Sequence, residues 1–341
     1  MENNWVSTGE YNSHGISANV YKSENAKVNE QFDLGIFFGT FESRGLIGSS
    51  LLKEKNCKYS FIIYFNEAKD SELRVKYDAQ LKQQVESCTI NKVKVIDNVS
   101  IKNIEDILFK LTSQIPDNCF QSDSKWFYDL GGSPIPYFLG LIAHVRNGFP
   151  RPQITLFNPT GDYDTENFVY DFTSGFDKNI WVPYLWGNVN PNLPRMYVFL
   201  LGFDGERSYD ILNKCEPDMI KVIIAKPGYK KNYEDLVITR NQGFLRESGI
   251  MAGEKLDKEN IFELHASNLI DTWKVLDQLY EEINNRANLV FVPLGTKGQA
   301  LGCGLSSLSN QRPSVLYLVP QTWIVKNVNR GSVLWKYDLI L

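Results

Sequence analysis

Lys297 stands in the run Gly295-Thr296-Lys297-Gly298, directly after the apolar stretch Leu289-Val290-Phe291-Val292-Pro293-Leu294. Consecutive apolar residues predict a strand buried on both faces. The residues from Gln299 to Leu308 are small or helix-tolerant and predict a helix. A strand, a glycine turn and a helix start make an anion site. The turn offers free backbone N–H groups, the helix dipole favours negative charge, and a lysine adds a full positive one. A cation at a helix N-terminus opposes the dipole, which points to an anionic partner. The spacing is not that of a Walker A loop, because the first glycine and the GK[ST] order are missing.

Polar residues recur after other predicted strands. Thr40, Glu42, Ser43 and Arg44 follow Leu34–Phe38, and Asp129, Gly131, Gly132 and Ser133 lie at the end of Trp126–Leu130. Asp204, Glu206, Arg207 and Ser208 follow Met196–Leu201, and Gly295, Thr296, Lys297 and Gln299 follow Leu289–Leu294. In open parallel sheets ligands sit beyond the carboxyl ends of the strands, near the switch in strand order. Two readings stand for several of these groups. Arg44 and Arg207 are either anion contacts or helix-start residues paired with Glu42 and Glu206. Gly131, Gly132 and Gly295 either admit a ligand or allow close strand-to-helix packing.

The elements that carry these residues alternate. Strands at Leu34–Phe38, Tyr59–Phe65, Lys92–Ile96, Trp126–Leu130 and Ile154–Phe157 are separated by helical patterns at Leu46–Lys55, Ser71–Cys88, Ile101–Leu111 and Pro136–Val145. The order then restarts with strands at Met196–Leu201, Ile220–Ala225, Ile261–Leu264, Leu289–Leu294 and Val315–Val319, and a last strand at Val333–Leu341. A long helix is expected over Tyr229–Glu247 and another over Leu269–Ile283. Such alternation predicts parallel sheets covered by helices on both faces.

Landmarks match between the halves. Gly39 and Arg44 correspond to Gly202 and Arg207 at an offset of 163 (202 − 39 and 207 − 44). Leu130-Gly131 corresponds to Leu294-Gly295 at 164, and Pro159 to Pro320 at 161. The expected fold is therefore α/β: two tandem Rossmann-like parallel-sheet domains related by an internal duplication. Residues 1–31 form an arm or edge hairpin, 32–160 the first domain, 161–195 the connection, with a hairpin around Ile180 to Trp186, and 196–341 the second domain.

Composition excludes several classes. Apolar content of 43% and charged content of 22% are those of a soluble globular protein. A formal charge of −4 argues against general nucleic-acid binding. Five cysteines, odd in number and without CxxC spacing, predict reduced thiols in a cytoplasmic protein. Met1–Trp5 lacks a signal-peptide pattern, and no apolar run approaches the ~20 residues that span a bilayer. His14, His144 and His265 lie far apart, so no metal site is expected. No GxSxG elbow is present, and a missing GxGxxG after the first strand argues against NAD, so no cofactor is expected. Cys303 lies inside a predicted helix, and Trp181, Tyr184, Trp186, Trp323 and Trp335 read as core or interface residues.

The Gly295-Thr296-Lys297-Gly298 turn and, less closely, Asp129-Leu130-Gly131-Gly132-Ser133 resemble the CRISPR-associated Rossmann fold (CARF) sensor domains. The first half carries no lysine in its turn. The resemblance implies a twofold cleft between two such domains that binds a cyclic or linear oligoadenylate, and a place in prokaryotic defence. Three functions follow as expectations. The first is a sensor that binds an anionic nucleotide-type ligand in the cleft between the halves and signals to a protein partner. There Thr296 and Lys297 hold phosphate, Arg44 and Arg207 add anion contacts, and Glu42 and Glu206 orient those arginines or hold ribose hydroxyls. The second is a nucleotide hydrolase or nucleotide-sugar transferase in the same cleft, with Glu42 or Asp129 as general base. The third is a non-catalytic scaffold.

Overall fold

Alternation along Ile16-Ser-Ala-Asn-Val20 buries Ile16, Ala18 and Val20 and leaves the residues between them in partial contact with water. That pattern builds an antiparallel hairpin from β1 (Val6–Ser13) and β2 (Ile16–Ser23). The computed structural model describes residues 4–67, 69–148, 151–163, 173–283 and 285–341. It divides into two units: Met1–Glu166 with Val325–Leu341, and Asn167–Ile324.

After the hairpin, the first unit continues as β3 (Phe32–Phe38), α1 (Ile47–Leu51), β4 (Cys57–Phe65), α2 (Glu72–Cys88) and β5 (Thr89–Val99). It goes on through α3 (Ile104–Thr112), β6 (Lys125–Asp129), α4 (Ile135–Gly148) and β7 (Gln153–Asp162). Strands β3 to β7 pair in parallel. The central ones are buried on both faces, so their apolar runs are continuous rather than alternating. Ser71 caps α2 by accepting a hydrogen bond from the Arg74 N–H at 3.3 Å.

The second unit begins with β8 (Thr173–Trp181), then β9 (Arg195–Leu200), α5 (Gly205–Cys215), β10 (Met219–Ala225), α6 (Tyr233–Arg240) and α7 (Gln242–Glu247). The short pair β11 (Met251–Ala252) and β12 (Lys255–Leu256) follows. Then come β13 (Ile261–Leu264), α8 (Leu269–Ile283), β14 (Asn288–Pro293), α9 (Lys297–Asn310) and β15 (Ser314–Trp323). Phe199, Val222, Val292 and Leu318 meet in its core, where each fully buried side chain of this kind contributes about 1.5–3 kcal/mol. The last strand is β16 (Asn329–Ile340).

Among the described residues the larger sheet runs β1-β2-β16-β7-β6-β3-β4-β5, and the smaller runs β13-β10-β9-β14-β15-β8. Numbered by sequence within its own unit, each set of five parallel strands has the order 3-2-1-4-5. Strand order therefore switches between β3 and β6 in one unit and between β9 and β14 in the other. An antiparallel strand covers the fifth strand of each set, β16 on β7 and β8 on β15.

Expected boundaries shift, three of them in ways that change which elements belong together. The terminal strand, assigned above to a second domain of 196–341, lies in the first sheet between β2 and β7. Tertiary pairing overrides chain proximity there, because Leu334, Tyr337 and Leu339 are at most 1 % exposed in that position. The expected connection 161–195 includes β8, a member of the second sheet, whose end pairs with Leu316 instead of folding back on Trp186. Residues 164–172 of that connection lie outside the described residues. The single helix expected over Tyr229–Glu247 is two helices broken at Asn241. The edge hairpin expected within 1–31 is present as β1 and β2.

Candidate functional site

In the second unit the carboxyl ends of β9 and β14 lie side by side, with the Leu294 N–H donating to the Leu200 carbonyl at 3.0 Å. Close approach explains the glycines. A Cβ at Gly202 would lie far inside contact distance of the Leu294 carbonyl oxygen, and one at Gly295 would lie 2.8 Å from the Leu201 oxygen. The chain then turns into α9, with Thr296 as its N-cap: the Thr296 hydroxyl accepts from the Gln299 N–H at 3.3 Å and donates to the Ala266 carbonyl. Lys297, half-buried, is the first residue of the helix. Gly298 is a packing residue, since a Cβ there would lie 2.8 Å from the Ser267 backbone.

Gln299 is fully buried beneath the turn. Its Nε2 donates to the Leu264 carbonyl at 3.2 Å, which orients the amide. The Oε1 is left without a hydrogen-bond partner and faces Gly295, 3.2 Å from where a Cβ would stand. A buried acceptor with no donor is costly, about 1–3 kcal/mol. This turn therefore has one buried acceptor to offer, the Gln299 Oε1.

Arg207 is 8 % exposed and faces inward. Its NH2 donates to the Leu318 carbonyl at 2.6 Å, its guanidinium lies over the Tyr317 ring at 4.7 Å, and Asp204 stands 3.9 Å away. It does not pair with Glu206, which is exposed on α5. Arg207 thus pins α5 to β15 and is not open to an anion from solvent. A residue that the sequence did not single out holds the same turn. Buried Asn241 donates to the Gly202 and Val237 carbonyls, both at 2.8 Å, and accepts from the Ser208 hydroxyl at 2.6 Å. An Asn inside a predicted long helix gave one signal, since its amide competes with the helix backbone.

In the first unit the equivalent ends of β3 and β6 carry the other predicted residues. The Thr40 hydroxyl and the Glu42 backbone close a local turn, with the Glu42 N–H donating to Thr40 Oγ1 at 2.9 Å. Arg44 Nε pairs with Glu42 Oε2, so the ion-pair reading holds here, and its guanidinium also lies 5.6 Å from the centre of the Tyr163 ring. Asp129 is 1 % exposed and its Oδ1 accepts from the Gly131 N–H at 2.8 Å. A Cβ at Gly48 would collide with that carboxylate, and Cβ atoms at Gly131 and Gly132 would crowd Gly45 and the Phe38 carbonyl. Ser133 Oγ shares a 2.8 Å hydrogen bond with Tyr128 Oη, whose phenol burial pushes well above its ordinary range. The glycines at 131 and 132 therefore serve close packing.

Beside this turn stands a pair that the sequence hid within a polar helix. Arg74, 2 % exposed, donates from Nε to Asp78 Oδ2 at 2.6 Å, and Asp78 Oδ1 accepts from the Thr40 N–H at 3.1 Å. Burial raises the Asp78 carboxyl above its ordinary range, against the pull of Arg74. Their i,i+4 spacing puts both on one face of α2.

Other reactive groups are quiet. Burial pushes the Cys303 thiol up, away from the nucleophilic thiolate, and holds His144 below its usual value. Among the described residues no three His, Cys, Asp or Glu side chains are grouped to hold a metal ion, and no helix is long and apolar enough to cross a membrane.

No protein-family model matches the chain, and no curated protein does. Among solved structures, a functionally unknown protein of Pseudomonas aeruginosa PAO1 aligns over 85% of this chain and 93% of its own, at 11% identity and a TM-score of 0.25. The cytoplasmic domain of a prokaryotic cation chloride cotransporter aligns over 85% and 96%, at 8% identity and a TM-score of 0.23. Likenesses this loose carry no functional argument.

Proposed function

We propose that the protein is a regulatory component that binds an anionic nucleotide-type ligand at the β9–β14 switch point and passes that state to a protein partner. One observation carries the reading: Lys297 opens a 14-residue helix against its dipole, at a strand-order switch, above a buried Gln299 acceptor that lacks a donor. Phosphate charge on the Thr296–Lys297 turn would be attracted by the lysine and by the helix N-terminus alike, and a ligand N–H or O–H would complete Gln299. The resemblance to CARF domains favours an adenine-bearing ligand and a role in defence. The matching 3-2-1-4-5 orders support an origin by duplication.

A hydrolase reading has less behind it. Glu42 is engaged by Arg44, and Asp129 is buried and hydrogen-bonded to the Gly131 N–H, so neither is poised to activate water. Calorimetric titration with ATP, linear and cyclic oligoadenylates and UDP-glucose tests the binding reading. Lys297→Ala is expected to weaken the best ligand about tenfold or more. Unchanged affinity in that variant overturns the assignment, and consumption of the ligand makes the protein an enzyme.

A further inference from the structure

The opposite end of the same sheet carries a second feature. Val182 and Leu185 are buried anchors of the chain between β8 and β9, while Trp181, Tyr184 and Trp186 around them are 45, 37 and 50 % exposed. These aromatics, expected above to be core or interface residues, stand on a backbone that is hydrogen-bonded to β15. The Val182 N–H donates to the Val315 carbonyl at 2.9 Å, the Val315 N–H to the Leu185 carbonyl at 2.8 Å, and the Ser314 hydroxyl to the Trp186 carbonyl. Tyr184 adopts φ of +65°, a left-handed conformation that bulky residues avoid. The Tyr184 and Trp186 rings stack at 5.9 Å with planes 23° apart.

Two residues further on, the chain enters a hollow of about 440 Å³ at the amino ends of β9 and β14. Asn188, Asn190, Asn285, Asn288 and Tyr280 line it, and among the described residues of its lining Arg312 is the one that carries charge. Asn288 is spent on the framework, accepting from the Asn190 N–H and donating to the Asn190 and Leu193 carbonyls. Asn188 and Asn285 are exposed and present amides that can both donate and accept.

We propose that this end of the second unit binds a neutral, hydroxyl-rich saccharide, with the Tyr184–Trp186 pair as its stacking platform and the asparagine-lined hollow as its polar seat. Vicinal hydroxyls each donate and accept, which matches amides better than it matches charges. The ring C–H groups of a pyranose are electropositive and fit the negative face of an indole. The volume is that of a small-molecule site. A nucleic-acid strand would stack on the same rings, but its affinity comes from neutralising phosphates, and one arginine supplies little of that. The proposal is independent of the Lys297 turn, which lies beyond the other end of β14.

The test uses the full chain and three neutral probes, maltotriose, cellotriose and chitotriose, each followed by tryptophan fluorescence and calorimetry up to about 10 mM, the range of weak single sites. At least one is expected to bind, and Trp186→Ala and Asn188→Ala to weaken it about tenfold or more. Both side chains are exposed, so the variants should melt as the parent does, and Lys297→Ala should leave the sugar affinity unchanged. Silence with all three sugars, or binding retained by both the Trp186 and the Asn188 variant, overturns the proposal. Tighter binding of oligothymidylate or of a proline-rich peptide to the same residues also overturns it and gives the face to that class.

Discussion

Gly202 has no room for a side chain, and that defines what the ligand turn can tolerate. A methyl there would meet the Leu294 carbonyl, so Gly202→Ala must force apart the hydrogen-bonded ends of β9 and β14. A loss of about 1–3 kcal/mol is expected in urea denaturation, as for other overpacked sites. Asn241→Ala acts on the same turn from behind. It strips the Gly202 carbonyl and the Ser208 hydroxyl of a buried partner, and should cost about 1–3 kcal/mol while leaving Lys297 in place. Asp78 gives a pH signature. Its carboxyl titrates above its unfolded value of 3.8, so the folded state binds the proton more tightly than the unfolded one. The contribution of Asp78 to stability therefore falls as pH rises from 3.8 through the raised value, and is level above it. Asp78→Asn places beside Arg74 a group that is neutral at every pH, as the protonated carboxyl is below its raised value. It should lack this component of the slope, and identical pH slopes in the two proteins would refute the assignment.

At the scale of elements, the periodic segments were legible and their breaks were not. The helix from Glu72 to Cys88 and the one from Leu269 to Ile283 lie where the alternation of strand and helix patterns puts them. The break at Asn241 depends on a buried partner, Gly202, 39 residues away, which local propensity cannot see. Helix α9 lies close against the chain that leads into α8, because Gly298 sits on the Ser267 backbone and Gly302 on the Leu269 carbonyl. Gly302→Ala should push these helices apart and cost about 1–3 kcal/mol. It should lower the denaturation midpoint with little change in slope.

On the scale of the whole molecule, β16 begins 167 positions beyond the end of β7 (329 − 162) and crosses back to fill the gap between β2 and β7. Removing residues 325–341 takes out a strand paired on both sides and exposes Ile154, Leu156 and Phe157 along β7. Calorimetry of that truncation should show the transition of the first unit lost or lowered while that of the second persists. An unchanged first transition would refute the role given to β16. Sequence alone determined the alternation of strands and helices, the parallel sheets, and the polar residues at strand ends, because apolar periodicity and glycine turns are local signals. It also located Lys297 at a helix start, since that too is written in neighbouring residues. Only the tertiary structure decided which of those polar residues face inward. Arg207 and Arg44 occupy matching positions 163 apart, yet one is spent on a carbonyl of β15 and the other on Glu42. It alone assigned the last strand to the first sheet and turned Tyr184 and Trp186 outward. Burial and pairing belong to contacts between distant segments, and no window of the chain contains both partners.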